Sequence, residues 1–258
     1  MLKLVMRFRK VLFVYNMIKQ KKIILIILSI FFLTLISFLI ILFTIIIPER
    51  KEKEYFEEQV KLYYENKLKI YEEENEKFED YEIDVAFIGD SLTDAYDLEK
   101  YYPEFVVSNR GIGGETTIGL EKRMQVSVYD LKPKVVVMLI GANNMDSMFN
   151  NYENLLIGLS ENLPNTKVVL LSLTAMGDNW GRKNQLAAFN NVKIKKLAEK
   201  YNYHFIDLYT PLLDVTTNEV YDGYTIDGGH FTELGYDVVT NLIKPVLIEI
   251  LTIYPNFN

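Results

Sequence analysis

The sequence predicts an α/β protein in which helices cover both faces of a parallel β-sheet, with a separate helical region in front of it. Two observations support this prediction. Residues 83–252 alternate short β-branched runs with segments of helical periodicity, which is the pattern of strand–helix–strand units in a covered parallel sheet. Residues 1–82 instead contain one long apolar run, followed by a charged stretch without glycine.

The apolar run extends from Ile23 to Ile47 and contains 25 residues, with no charge, glycine or proline. As a helix it is roughly 37 Å long, more than the ~30 Å hydrocarbon core of a bilayer. A cleaved signal peptide is the competing interpretation. Its apolar region normally has about 7–15 residues and precedes a small-x-small site, and Thr44–Pro48 offers no such site. We therefore expect residues 23–47 to be an uncleaved membrane anchor.

The distribution of charge predicts the orientation of that anchor. Residues 1–22 carry seven Lys and Arg and no acidic residue, whereas residues 48–258 hold 21 basic and 35 acidic residues. Basic flanks stay in the cytoplasm, so we expect a single-pass protein of the cell membrane, with 1–22 cytoplasmic and the C-terminal domain outside. The acidic domain would repel nucleic acid. The lack of cysteine and the abundance of Ile, Lys and Asn suggest a bacterial protein.

Residues 48–82 predict a charged helical stalk, because Glu, Lys and Tyr dominate and apolar residues recur near helical spacing. A short coiled coil that mediates self-association is the alternative to a solvated spacer helix. The spacer is favoured because the heptad pattern is not sustained. The recurring positions are Phe56, Val60, Tyr63, Tyr64, Leu68 and Tyr71.

Five short runs in the C-terminal domain predict strands, and the clearest helix is Asn184–Tyr201, with a last helix from about Leu234 to Ile250. In an open parallel sheet, sites lie outside the carboxyl ends of the strands. The residues that follow each run are therefore the candidates for chemistry. The predicted strands are Val85–Ile88, Phe105–Ser108, Val135–Ile140, Val168–Leu173 and Phe205–Leu208.

Four segments at these positions carry the residues that acyl transfer needs: Gly89–Thr93, Asn109–Thr116, Gly141–Asn144 and Asp227–His230. A serine hydroxyl is a weak nucleophile that requires a base within hydrogen-bond reach, with a carboxylate to orient that base. The developing oxyanion requires hydrogen-bond donors. The four segments contain a serine, a histidine with an aspartate three residues before it, and two sources of donors.

The order Ser, Gly, Asn, His, each in its own block, resembles the SGNH (GDSL-type esterase/lipase) hydrolase family over roughly residues 83–252. The resemblance implies a catalytic triad of Ser91, Asp227 and His230. It implies an oxyanion hole formed by the N–H groups of Ser91 and Gly114 and the side-chain amide of Asn143. No cofactor and no metal are implied. The third block of the family commonly continues with Asp where this sequence has Asn144, a position thought to support loop geometry.

Several of these assignments have a simpler interpretation or a competing residue. Ser91 could serve only as the cap of the helix after strand one, and Asp227 could close a turn or cap the last helix. His204 is a second histidine, but its place at the start of strand five predicts the opposite edge of the sheet. Gly113 competes with Gly114 as the donor. The glycine-rich loop lacks the lysine of a phosphate-binding loop, and two histidines without cysteine form no metal-ligand cluster.

Three aromatic residues are weaker candidates for substrate binding. Trp180 follows strand four on the edge predicted for Ser91, where its ring would stack on a sugar, cover an acyl chain or simply anchor the loop. Tyr221 and Tyr224 precede the Asp227 block. A shallow site with these rings at its rim would favour a sugar, and a long apolar groove would favour a lipid.

We therefore expect a flavodoxin-like three-layer α/β/α sandwich over residues 83–258, with five parallel strands in the order 2-1-3-4-5. The expected activity is that of an extracytoplasmic serine esterase for carboxylic esters. Its location favours O-acetyl groups on a cell-wall or extracellular glycan as the substrate. The alternatives are a lysophospholipase or other lipid esterase, an O-acyltransferase, and a catalytically silent scaffold module.

Overall fold

The computed structural model describes residues 1–180 and 184–254, and it begins with a long helical region. Helix α1 (Leu2–Ile41) is followed by a π-helical turn (Leu42–Ile46) and helix α2 (Ile47–Asn75). Together they form the continuous helical stretch Leu2–Asn75, which among the described residues is the one helix long and apolar enough to cross a membrane. An 18-residue window within it has a mean hydropathy of 3.1 and contains no buried residue. A signal sequence meets the same criteria of length and composition.

The chain divides into two compact units, Met1–Tyr63 and Tyr64–Asn258. In the first unit, every side chain from residue 48 to residue 63 is exposed. The second unit begins inside α2, before the boundary at residues 82 and 83 that the sequence predicts. Of the predicted domain 83–258, residues 181–183 and 255–258 lie outside the described residues.

The second unit contains the predicted sheet, with the strands in the order β2-β1-β3-β4-β5 and every neighbouring pair parallel. Strand β2 begins two residues later than predicted, because the Val106 N–H donates to the Asp84 carboxylate at 2.8 Å rather than to a neighbouring strand. The strands are β1 (Val85–Gly89), β2 (Val107–Gly111), β3 (Val135–Leu139), β4 (Lys167–Leu171) and β5 (His204–Ile206).

Seven further helices and a small hairpin connect and cover these strands among the described residues. The helices are α3 (Ser91–Asp94), α4 (Leu98–Tyr101), α5 (Thr117–Met124), α6 (Tyr152–Asn162), α7 (Asn184–Tyr201), α8 (Tyr209–Leu212) and α9 (Glu233–Ile253). The hairpin pairs β6 (Leu213–Asp214) with β7 (Glu219–Val220) in antiparallel fashion. The last helix starts one residue earlier and ends three residues later than predicted.

Two hydrophobic cores lie on opposite faces of the sheet, because successive side chains of a strand point to opposite faces. Val135 and Val137 of β3 belong to the core that includes Ile243 of α9. Val136 and Met138 belong to the core that includes Leu155 of α6. Burial on both faces explains why the central strands β1, β3 and β4 are almost continuously apolar, and the parallel order brings the carboxyl ends of all five strands to one edge.

Candidate active site

Ser91 lies in a tight turn between β1 and the short helix α3. The side chain of Asp90 caps this helix by accepting a hydrogen bond from Leu92 N–H at 3.1 Å. The cap is therefore Asp90, and the alternative role of Ser91 as the cap does not apply. At Gly89 a Cβ would come within 2.2 Å of the Leu139 carbonyl oxygen, so only glycine allows β1 to run this close to β3.

A chain of hydrogen bonds joins Ser91, His230 and Asp227. The Nε2 atom of His230 lies 2.9 Å from Ser91 Oγ, and its Nδ1 atom lies 2.7 Å from Asp227 Oδ2. An imidazole that donates its Nδ1 hydrogen to a carboxylate presents Nε2 as an acceptor for the serine hydroxyl. This geometry is able to remove the hydroxyl proton as the serine attacks.

Asp227 is held in its charged form by the backbone that follows it. Its Oδ1 atom accepts hydrogen bonds from the N–H groups of His230 at 2.8 Å and Gly229 at 3.0 Å. Partial burial raises the pKa of Asp227, but the hydrogen bonds from His230 and Gly229 outweigh burial and leave the pKa below its ordinary value. Asp227 does not cap the last helix, because the Thr232 side chain accepts from Gly235 N–H and does so instead.

Trp180 packs on the edge of the His230 ring, with 4.7 Å between ring centroids and 87° between ring planes. It also covers Gly229, where a Cβ would come within 2.4 Å of the indole. Trp180 thus lies on the same edge of the sheet as Ser91, as the sequence predicts. Its contacts are those of a residue that holds the Asp227–His230 segment in place.

The second and third blocks are joined to each other beside Ser91. Asn143 Nδ2 donates to the Glu115 carbonyl oxygen at 2.8 Å, and Asn143 lines a cavity together with Ser91 and His230. Gly114 precedes Glu115 and is exposed, with φ at +75°. Apart from Gly114 and its two chain neighbours, no atom of the described residues lies within 4 Å of the position that a Cβ would occupy there. Backbone conformation, rather than space, therefore favours glycine at position 114.

Asn144, the departure from the family pattern, fixes the start of α5. Its Oδ1 accepts from Thr117 N–H at 3.2 Å, and its Nδ2 donates to Thr117 Oγ1 at 2.8 Å. The Thr117 hydroxyl in turn donates to Asn151 Oδ1 at 2.8 Å. Asn144 therefore supports the loop that carries Gly114, and it uses both a donor and an acceptor to do so.

Asn109 is a site residue whose role the sequence did not reveal. Its Nδ2 donates to the carbonyl oxygens of Thr93 at 2.8 Å and Tyr96 at 3.0 Å, and its Oδ1 accepts from Gly111 N–H at 2.9 Å. One side chain therefore ties the turn after Ser91 to the end of β2. A polar residue directly after a predicted strand was the available signal.

A buried ion pair between Arg123 and Glu115 was also missed. The guanidinium contacts the Glu115 carboxylate at 2.9 Å and donates to the carbonyl oxygens of Gly89 at 3.0 Å and Arg110 at 2.9 Å. Both side chains are almost fully buried. Arg123 thus connects the ends of β1 and β2 with the loop that carries Gly114, a contact that no local sequence pattern indicates.

Two cavities of very different size lie at this edge. The cavity at Ser91 is small, about 10 Å³. A second cavity of about 570 Å³ is lined by Gly228, the residue before Gly229 of the first cavity, and by four acidic residues, Asp178, Asp214, Glu219 and Asp222.

The other residues that the sequence singled out, two tyrosines and the second histidine, lie away from the cavity at Ser91. Tyr221 lines the larger cavity and packs edge-on against Tyr224, with 5.7 Å between ring centroids. Neither tyrosine is among the described residues that line the cavity at Ser91. His204 is exposed as the first residue of β5, at the other edge of the sheet. Within residues 1–180 and 184–254, no group of three or more His, Asp or Glu could hold a metal ion.

A parallel α/β/α sandwich with serine, histidine and asparagine blocks after its strands defines an ester hydrolase of the SGNH type. The chain belongs to the GDSL-like Lipase/Acylhydrolase family, whose model matches residues 87–238.

Individual relatives and solved structures are similar to this chain at low sequence identity. The "Platelet-activating factor acetylhydrolase IB subunit alpha2" of Rattus norvegicus is 24% identical over 186 residues, which cover 67% of this chain and 79% of the relative. A GDSL-like lipase from Bacteroides thetaiotaomicron has a TM-score of 0.63 and 25% identity, covering 70% of this chain and 97% of its own. An acetylxylan esterase from Geobacillus stearothermophilus has a TM-score of 0.53 and 21% identity, covering 65% and 95%.

Proposed function

We propose that this protein is a serine esterase with Ser91 as the nucleophile, His230 as the general base and Asp227 as the group that orients it. The observation that carries the proposal is the continuous hydrogen-bonded chain, 2.9 Å from Ser91 Oγ to His230 and 2.7 Å from His230 to Asp227. Such a chain activates a hydroxyl that is otherwise a weak nucleophile.

The reaction follows from this arrangement. Ser91 Oγ attacks the ester carbonyl carbon while His230 Nε2 takes its proton, and the negative charge moves to the carbonyl oxygen. The N–H groups of Ser91 and Gly114 and the Asn143 amide would stabilise that oxyanion. Its collapse expels the alcohol, which takes the proton from His230. Water then attacks the acyl-enzyme through the same base and releases the acid.

A small acyl group is the favoured substrate feature. The cavity at Ser91 measures about 10 Å³ and Trp180 is among the residues that line it, which favours a short acyl group over a long one. The four carboxylates of the adjoining larger cavity disfavour a phosphate-bearing alcohol. The names of two similar proteins, an acetylhydrolase subunit and an acetylxylan esterase, agree with acetyl.

The expected place of this activity is outside the cell membrane, and we infer O-acetyl groups on a cell-wall or extracellular glycan as the substrate. The support is the apolar stretch at residues 23–47 with its basic flank, which by charge leaves the C-terminal unit outside. A tethered esterase in that position encounters wall and capsular glycans. Self-association through α2 stays a prediction.

The first test is hydrolysis of p-nitrophenyl esters from acetyl to dodecanoyl by the full chain in detergent micelles. We expect the highest kcat/KM with acetyl, covalent labelling by a fluorophosphonate, and loss of both in Ser91→Ala. A folded wild-type chain that neither hydrolyses nor labels would favour the silent scaffold. A maximum at long chains would favour a lipid esterase.

The second test separates the alcohol parts. Acetate release is measured from O-acetylated wall glycan and from an acetylated phospholipid in mixed micelles, each with wild type and Ser91→Ala. Faster release from the glycan supports the proposal. Release from the lipid alone would replace it, and transfer of acetyl to an added sugar without free acetate would indicate an acyltransferase.

A further inference from the structure

The last three turns of α2 carry a stripe of buried and half-buried side chains within the second unit. The spacing of three and four residues places them on one face of the helix. The stripe starts at Tyr64, whereas every residue from 48 to 63 is exposed. Its members are Tyr64, Lys67, Leu68, Tyr71, Glu74 and Asn75.

Two members of this stripe, one helical turn apart, contact the two segments proposed to hold the reacting groups. Lys67 Nζ lies 2.5 Å from the carboxylate of Asp94, the last residue of the helix that starts at Ser91. Tyr71 donates its hydroxyl hydrogen to the carbonyl oxygen of Gly111 at 2.7 Å. The loop that carries Gly114 starts directly after Gly111.

The two contacted segments also touch each other. At Gly111 a Cβ would come within 2.2 Å of the Asp94 backbone nitrogen. A displacement of α3 would therefore displace the end of β2 as well. The helix face with Lys67 and Tyr71 spans this junction.

Arg110 fixes the helix against the sheet. Its guanidinium is fully buried, lies 4.8 Å from the centre of the Tyr71 ring and forms an ion pair with Glu74 at 3.0 Å. It also donates to the Tyr71 carbonyl oxygen at 3.2 Å, one turn before the helix ends at Asn75. Three different contacts thus hold one turn of α2 in a single position.

We propose that Lys67 and Tyr71 are positioning residues for ester hydrolysis, which hold the Ser91 turn and the Gly114 loop in register with each other. The inference rests on the proposed function. Neither residue is among the described residues that line the cavity at Ser91, so both act through Asp94 and the backbone of Gly111. Misplacement of reacting groups by about 1 Å is able to cost roughly 100-fold in rate.

The test compares Lys67→Met and Tyr71→Phe with matched variants in the full chain, in detergent micelles. Lys69→Met removes an exposed ion pair with Glu73 on the same helix. Tyr203→Phe removes a tyrosine hydrogen bond to the Leu156 carbonyl oxygen at the other edge of the sheet. Active sites are counted by fluorophosphonate labelling, and kcat, KM and the unfolding temperature are measured for each variant.

We expect kcat per labelled site to fall roughly tenfold in Lys67→Met and Tyr71→Phe, with KM within about twofold of wild type. Lys67→Arg should recover most of the loss, and both control variants should keep the wild-type kcat. If the wild type is active and both variants keep its kcat per labelled site, this inference is overturned while the proposed function stands. The same holds if the variants only unfold at a lower temperature. A wild-type chain without hydrolysis or labelling would overturn the proposed function and this inference with it.

Discussion

The side chain of Asp227 is 44% exposed, yet it receives three hydrogen bonds from two residues. The bonds from the backbone fix the carboxylate, and the carboxylate fixes the tautomer of His230. We expect Asp227→Asn to lower kcat by roughly 10³- to 10⁴-fold, as an amide in this position supports the wrong tautomer. Asp80→Asn, which alters an exposed carboxylate paired with Lys132, is the control and should keep the wild-type kcat.

The same residue predicts a dependence of stability on pH. The pKa of Asp227 is lowered in the folded chain, so the unfolded chain binds more protons near its ordinary pKa of about 3.9. Its stabilising contribution is thus present above that pH and disappears as the pH falls through the lowered pKa. We expect the difference in urea midpoint between wild type and Asp227→Asn to be largest near neutral pH and to shrink towards about pH 3. A difference that grows on acidification would contradict this.

Asn144 provides a test of donor and acceptor matching. An aspartate at this position has no N–H to donate to Thr117 Oγ1. If the Thr117 hydroxyl turned to donate to the new carboxylate, Asn151 Oδ1 would lose its donor. Asn151 is unable to turn its amide to replace it, because its Nδ2 already donates to Glu121. We expect Asn144→Asp to lower the free energy of unfolding by about 1–2 kcal/mol, measured by urea denaturation. Asn162→Asp, which alters an exposed amide, should cost less than about 0.5 kcal/mol. Equal urea midpoints for the two variants would show that the hydrogen-bond pairing of Asn144 with Thr117 adds no stability.

Single residues with chemical roles were easier to predict than their supports. Ser91, His230 and Asp227 follow from short blocks in a fixed order, and the structure brings these three together. Their roles, like those of Gly114 and Asn143, are part of the proposal. Asn109 was indicated only by its place directly after a predicted strand. Arg123 and Glu115 act through backbone groups and side chains that are distant in sequence, so no local spacing indicates them.

Among the elements, α2 differs most from its description as a stalk. Its polar composition predicts a solvated helix, and this is what residues 48–63 form. From Tyr64 onwards the same composition forms an interface, because the Glu74 carboxylate and the Lys67 ammonium pair with charges on the sheet layer. Helical periodicity detects the apolar members of such a stripe but not the charged ones.

A truncation series tests where the second unit begins. A chain that starts at residue 80 lacks Tyr71, which is 1% exposed in the structure, whereas one that starts at residue 60 retains it. We expect the shorter chain to be less stable to urea by about 3 kcal/mol or more, since a buried aromatic side chain contributes about that much. Equal unfolding midpoints would place the boundary after α2. Chains starting at residues 55 and 60 provide the control pair.

The sheet was the most predictable element, because continuous apolar strands between helices leave few alternatives to a covered parallel sheet. The five strands and their order are confirmed. Strand ends were displaced by up to three residues, the largest being the end of β2 at Gly111. At the start of β2 a side chain intercepts a backbone group, as Asp84 does at Val106. Such local competition is not visible in hydrophobic periodicity.

At the scale of the whole molecule, composition separates an apolar N-terminal region from an acidic C-terminal one. We expect the full chain to sediment with membranes and to require detergent for release, whereas a chain lacking residues 2–47 should be soluble. Its kcat per labelled site should remain within about twofold of the full chain, because all the site residues lie after Tyr64. Release of the full chain by high salt alone would count against the anchor, since ionic contacts are screened under that condition.

Trp180 is the only tryptophan of the chain, and its ring lies 4.7 Å from that of His230. All of the indole emission of the protein therefore originates beside the proposed reaction centre. We expect phosphonylation of Ser91 to change the intensity or wavelength of that emission, with no such change in Ser91→Ala. Stopped-flow fluorescence would then follow acylation and deacylation in the unlabelled protein, so the pairing of one indole with the imidazole of His230 makes the protein its own optical reporter.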